Sequence, residues 1–159
     1  MNWIMKYRLL IKEQFENLHQ EFARFLASQS IDVTEWNDIK LNKPQIALNE
    51  MEIFSDIVWE EVLTKASYIE HFSETTANFF KCDELEIHRI VIQITWDINL
   101  LTQEGFEWLM HNPLDNSVEI FKGTKNYSSE RNLEIFDLIE KGSTVSKGEL
   151  YEYFNQLIS

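Results

Sequence analysis

The stretch Glu86-Ile87-His88-Arg89-Ile90-Val91-Ile92-Gln93-Ile94-Thr95-Trp96 decides the fold class. Ile90, Ile92, Ile94 and Trp96 fall on one side of an extended chain, and Val91, Gln93 and Thr95 on the other. A repeat of two with one strongly apolar side is the signature of a strand lying against a core. Upstream, Tyr68 to Phe72 and Asn78 to Cys82 are two further β-rich runs with short polar stretches between them, so the three segments read as an antiparallel meander. Hairpins turning around Thr75 and Glu84 set Tyr68 opposite Cys82 and Phe80 opposite His88. Downstream, Val118 to Phe121 supplies a fourth strand.

Helical periodicity flanks this centre on both sides. From Lys12 to Ser28, Phe15, Leu18, Phe22, Phe25 and Leu26 recur at helical spacing. Asp32 or Thr34 caps a brief helix containing Trp36 and Ile39, and Pro44 suits the first turn of a long helix to Lys65. After the meander, Thr102 caps a short helix bearing Phe106, Leu109 and Met110. Ser128 or Ser129 opens a helix to Lys141, with Gly142 past its end. Ser146-Lys147-Gly148-Glu149 matches a capping box for a last helix with Leu150, Phe154 and Leu157. The expectation is an α+β fold: a small antiparallel sheet of three to four strands, packed with N-terminal helices and a C-terminal helical hairpin. No linker-like tract interrupts residues 1–159, which read as one domain.

Composition narrows the function classes. At 159 residues, 44% hydrophobic and 13% aromatic, the chain has ample material for a core. Twenty-seven acidic against fourteen basic side chains give a net charge of −13, which repels phosphate backbones and anionic lipid and makes nucleic acid and membrane poor partners. No apolar run approaches a membrane span, and a secretory signal is missing, which points to the cytoplasm. Met5 follows Met1 closely, so residues 1–4, including Trp3, read as a start-site extension. Cys82 is the single cysteine, which rules out an intrachain disulfide.

Met5-Lys6-Tyr7-Arg8, Leu18-His19-Gln20-Glu21-Phe22, Asn42-Lys43-Pro44, Glu70-His71-Phe72-Ser73 and Lys147-Gly148-Glu149-Leu150 together resemble a family of small acidic proteins of the flavobacterial kind, a domain of unknown function. The likeness runs from Met5 over nearly the whole chain. It implies a bacterial cytoplasmic protein, and it brings no catalytic motif and no functional residue with it.

Among chemistry-bearing groups, Glu16 and His19 have the spacing of one helix of a di-iron bundle, but a second such pair is missing. His71, Cys82 and His88 offer zinc-type ligands, yet the expected register turns His71 to the other face of the sheet. That register places Glu70 and His88 on one face, flanking Phe80, where a carboxylate beside an imidazole suits acid–base work. Lys122, Lys125 and Arg131 form a compact basic cluster near a helix start. Glycine-rich phosphate loops and nucleophile elbows are absent, so no cofactor and no metal is expected. On the long helix, Glu52, Asp56 and Glu60 recur every fourth residue with Trp59 beside them; three like charges on one face call for solvent or a basic partner. The leading expectation is therefore a protein-binding module or adaptor using Glu52, Asp56, Trp59 and Glu60. The alternatives are a small hydrolase-like enzyme built on Glu70 and His88, and an immunity-type or nucleic-acid-mimicking inhibitor.

Overall fold

The computed structural model describes residues 4–159; Trp3 and the start-site question lie outside them. The chain divides into two compact units, residues 1–62 and 63–159. The fold is α+β, with seven helices and a five-stranded antiparallel sheet among the described residues.

The first unit is helical: α1 (Lys12–Asn17), α2 (His19–Ser28), α3 (Val33–Asn42) and α4 (Pro44–Lys65), the division falling within α4 after Val62. The single helix expected over Lys12 to Ser28 breaks at Leu18, whose φ of −107° and ψ of 22° leave the helical range. Neither glycine nor proline marks the break, and the apolar spacing runs through it unchanged. Asp32 caps α3 by accepting the Glu35 N–H at 2.8 Å. Phe15 of α1, Phe22 and Phe25 of α2, Trp36 of α3 and Phe54 of α4 form one aromatic cluster, to which all four helices contribute. The segment before α1 is fastened to α4 by polar groups. The Asp56 carboxylate accepts the backbone N–H groups of Lys6 (2.7 Å) and Tyr7 (2.9 Å), and Ser55 Oγ accepts that of Leu10 (3.0 Å).

The second unit holds β1 (Tyr68–Phe72), β2 (Thr76–Cys82), β3 (Glu86–Ile94), α5 (Gln103–His111), β4 (Val118–Asn126), α6 (Arg131–Glu140), β5 (Thr144–Ser146) and α7 (Glu149–Leu157). The strand order is β4-β3-β2-β1-β5, all antiparallel. The expected meander is present, but both hairpins pair one residue away from the expected register: Tyr68 faces Lys81, Lys81 faces His88, and Phe80 faces Arg89. The cause is loop length. Ser73 N–H bonds the Thr76 carbonyl and Asp83 N–H bonds that of Glu86, so each turn holds two residues, Glu74-Thr75 and Glu84-Leu85, instead of an odd number centred on Thr75 or Glu84. A one-residue slip moves every affected side chain of β2 to the opposite face.

One face carries Tyr68, Glu70, Phe72, Ala77, Phe79, Lys81, His88, Ile90, Ile92 and Ile94. Its apolar members pack with Leu100, Leu109 of α5, and Tyr151 and Phe154 of α7 into the main core. The other face carries Ile69, Phe80, Cys82, Ile87 and Arg89.

Three C-terminal details differ from expectation. The residues read as a Gly-Ser-Thr turn form β5, so α6 and α7 are joined through an edge strand and not as a plain helical hairpin. The N-cap of α7 is Gly148 at φ +82°, not Ser146; an added Cβ there would come 2.5 Å from the Tyr68 ring. And the N-cap of α6 is Glu130, without a side-chain cap bond, in place of Ser128 or Ser129.

Candidate functional site

A cleft of about 700 Å³ opens over the second face of the sheet, between β3 and β4 on one side and α6 on the other. Phe80 and Ile87 form its buried floor, and Leu133 and Leu138 its helical wall. α6 can do this because Ile135, fully buried, anchors a different stripe of the helix and leaves Leu133 and Leu138 at its flank. Gly123 leaves the opposite wall open, since a Cβ there would meet nothing within 4 Å.

The polar groups of the cleft are unequal. Lys125 Nζ pairs with Glu134 Oε2 at 2.9 Å, and Lys141 with Asp137 at 2.8 Å. Burial pushes the Glu134 carboxyl up, but the Lys125 ammonium and the Ser128 N–H, donated at 2.8 Å, outweigh it and hold the group below the usual value. Arg89 differs. It donates from Nε and Nη2 to Asn78 Oδ1, and its guanidinium lies 5.5 Å from the centre of the Phe80 ring. Among the described residues no carboxylate reaches it within ion-pair distance. In a chain of net charge −13, the cleft therefore presents three cations to two carboxylates, with one cation unmatched.

Glu70 and His88 do lie on the same face, but Phe80 is on the other one; Phe79 and Lys81 stand between them instead. The structure does not join the two. Glu70 lines a small hollow of about 210 Å³ with Ser146, Lys147, Glu149 and Leu150; burial raises its pKa, and the Ser146 hydroxyl opposes this. His88 has other partners: Nε2 lies 2.7 Å from Asp83 Oδ2, and Nδ1 lies 2.8 Å from Thr124 Oγ1. A carboxylate only accepts, so Nε2 carries a proton and donates it to Asp83. The carboxylate partner of His88 is thus five residues away on its own hairpin. Asp83, Glu86 and His88 are also the one group of described residues whose ligand atoms converge enough for a metal ion; a metal at Nε2 would have to displace the proton shared with Asp83. The zinc-type candidates His71, Cys82 and His88 are not brought together: His71 and Cys82 share the second face and His88 lies on the first.

Residues 5–159 match the sequence profile described as "Family of unknown function (DUF6495)". The chain belongs to that family. Comparisons with curated proteins and with solved structures find no match. No described helix of this DUF6495 chain is long and apolar enough to cross a membrane.

The remaining candidate residues are drawn into structural roles in this DUF6495 member. Asp56 is 6% exposed and Trp59 8%. Asp56 is spent on the Lys6 and Tyr7 amides, Glu60 accepts the Tyr7 hydroxyl at 2.5 Å, and the Arg8 guanidinium sits 4.8 Å from the Trp59 ring. Only half-buried Glu52 keeps clear of this arrangement, so the stripe is not an open contact face. It reads as acidic because it holds the N-terminal segment.

Lys122, Lys125 and Arg131 do not act as a cluster. Lys122 points to the first face, where its ammonium bonds Asn155 Oδ1 on α7, and Lys125 to the second. Arg131 turns inward and donates to the carbonyls of Leu63, Ala66, Cys82 and Asp83 at 2.6–3.2 Å. Burial pushes the Cys82 thiol up to about 11, which keeps it protonated and unreactive. His19 Nδ1 contacts the Glu16 carbonyl, not its carboxylate.

The cleft was missed in the sequence for two reasons. The tail of β4, Lys122-Gly123-Thr124-Lys125-Asn126, has the composition of a turn, and Arg89 interrupts an apolar strand where only the register shows what surrounds it.

Proposed function

We propose that this protein is a binding module, and that its ligand is an apolar molecule bearing a carboxylate, seated in the cleft between α6 and β4. The observation that carries the reading is Arg89: a guanidinium without an ionic partner at the rim of an apolar-floored cleft of ligand size. The binding-module expectation is retained with a different surface and the opposite partner charge, since the cleft favours an anion where the acidic stripe called for a basic protein.

The test is a thermal-shift and calorimetric series of medium-chain and aryl carboxylates against their matched alcohols. The acids are expected to bind more tightly. Arg89→Gln is expected to remove that preference, a loss of about ten- to a hundredfold for a charge-assisted hydrogen bond, and Leu133→Asp to weaken acid and alcohol alike. Equal binding of acid and alcohol, or an acid preference that survives Arg89→Gln, would sink the proposal.

A second reading rests on the chain of hydrogen bonds Thr124–His88–Asp83, whose order resembles that of a hydroxyl, its base and the base's orienting acid. Neither cleft described above is lined by His88 or Asp83, so this arrangement has less support than the binding reading.

A further inference from the structure

Strand β4 is a nine-residue edge strand, long for an unprotected edge. Which of its groups are available follows from one bond. Thr95 N–H donates to the Ser117 carbonyl, and the register continues unbroken to Glu86 opposite Asn126. Glu119, Phe121, Gly123 and Lys125 therefore turn their backbone groups toward β3, and Ile120, Lys122, Thr124 and Asn126 turn theirs outward. Among the described residues nothing bonds these outward amides.

We infer that this edge pairs with the same edge of a second copy, antiparallel about a twofold axis at Lys122. Self-pairing through outward groups overlaps most of the strand when the axis lies near its middle, at Phe121, Lys122 or Gly123, and side chains select among these. With the axis at Lys122, Glu119 lies opposite the partner's Lys125, and Phe121 lies opposite the partner's Gly123. Both are non-hydrogen-bonded pairs, the positions where side chains come closest. Phe121 is 56% exposed and Gly123 has open space where a Cβ would stand, so the ring covers the glycine of the other chain. The axis at Phe121 sets Glu119 against glycine, and the axis at Gly123 sets two glycines together; neither pairs the charges.

The cost of the chosen register is the two Lys122 side chains facing each other. Each is drawn away from the axis by its own Asn155 and by Glu152, whose carboxyl its charge helps to hold down. Because Gly123 lines the cleft, the partner's Phe121 becomes part of the cleft's open wall. The pairing does not depend on which ligand the cleft takes.

Sedimentation of the full chain from micromolar to several hundred micromolar concentration tests this. A reversible dimer of two 19.0 kDa chains is expected, weak because one strand pair buries less than the roughly 1,200–2,000 Å² of a standard interface. Lys122→Pro deletes an outward N–H that no described group uses, and should leave a folded monomer; circular dichroism checks the fold. Glu119→Lys sets two lysines opposite each other and should weaken the dimer at least tenfold, whatever becomes of the proline variant. A chain that stays monomeric throughout overturns the inference and leaves the edge to a strand from a different protein. A dimer indifferent to both substitutions overturns it as well.

Discussion

Single residues carry an unusual share of the polar organisation, and Arg131 carries most. Its guanidinium satisfies four carbonyls from two separate stretches of chain, 63–66 and 82–83, which a point-charged ammonium of different shape cannot do. Arg131→Lys should cost about 3 kcal/mol by urea unfolding, nearly as much as Arg131→Ala, because the loss lies in unsatisfied carbonyls more than in charge. Cys82 supplies a pH signature. Its thiol ionises at about 11 in the fold against an ordinary 9.0, so the folded state disfavours the thiolate. The stabilisation is complete below pH 9 and is lost as pH rises to 11, by roughly 2–3 kcal/mol. Cys82→Ala should flatten the stability profile in that window; an unchanged slope would assign the loss to other groups.

Among the elements, the hairpins show what sequence reveals and what it leaves open. The strands of the meander were legible because alternation is written directly in Ile90, Ile92 and Ile94. Their register was not, because Ser73-Glu74-Thr75-Thr76 and Asp83-Glu84-Leu85-Glu86 contain no Asn-Gly or Asp-Gly to fix the turn. The candidate site inherited the error: Phe80 was assigned to the face of Glu70 and His88 when it floors the cleft on the other side. β5 was illegible for a different reason, since three residues show no period and its pairing with β1 is wholly tertiary.

Two elements offer direct tests. Gly148→Ala meets both the positive φ and the Tyr68 ring and should cost about 2–3 kcal/mol. Combined with Tyr68→Ala, the damage should fall short of the sum of the two single changes, because the clash disappears. Along β4, amide exchange at low protein concentration should alternate, slow at Phe121, Gly123 and Lys125 and fast at Lys122 and Thr124; uniform protection there would contradict the edge assignment.

At the scale of the whole molecule, the charge of −13 pushes the compact state outward. Raising salt from low to about 0.15 M, where the Debye length is about 8 Å, should raise the melting midpoint; a falling midpoint would mean that local pairs such as Lys125–Glu134 outweigh the net repulsion. The acidity itself was plain in the sequence. What it does was not, because Asp56 and Glu60 differ from solvated carboxylates only in having Lys6 and Tyr7 against them, through their backbone N–H groups at Asp56 and through the Lys6 ammonium and Tyr7 hydroxyl at Glu60.

The short β5 also bears on the order of assembly. The β1–β2–β3 hairpins close between near neighbours, whereas Glu70 meets Thr144 only after most of the second unit has been made. The ribosome must release residues 144–146 before the β1 edge can be covered, and the long closure is unfavourable until the rest is in place. Val145→Gly should then hasten unfolding and leave the folding rate nearly unchanged, marking β5 as the strand that locks a sheet already formed.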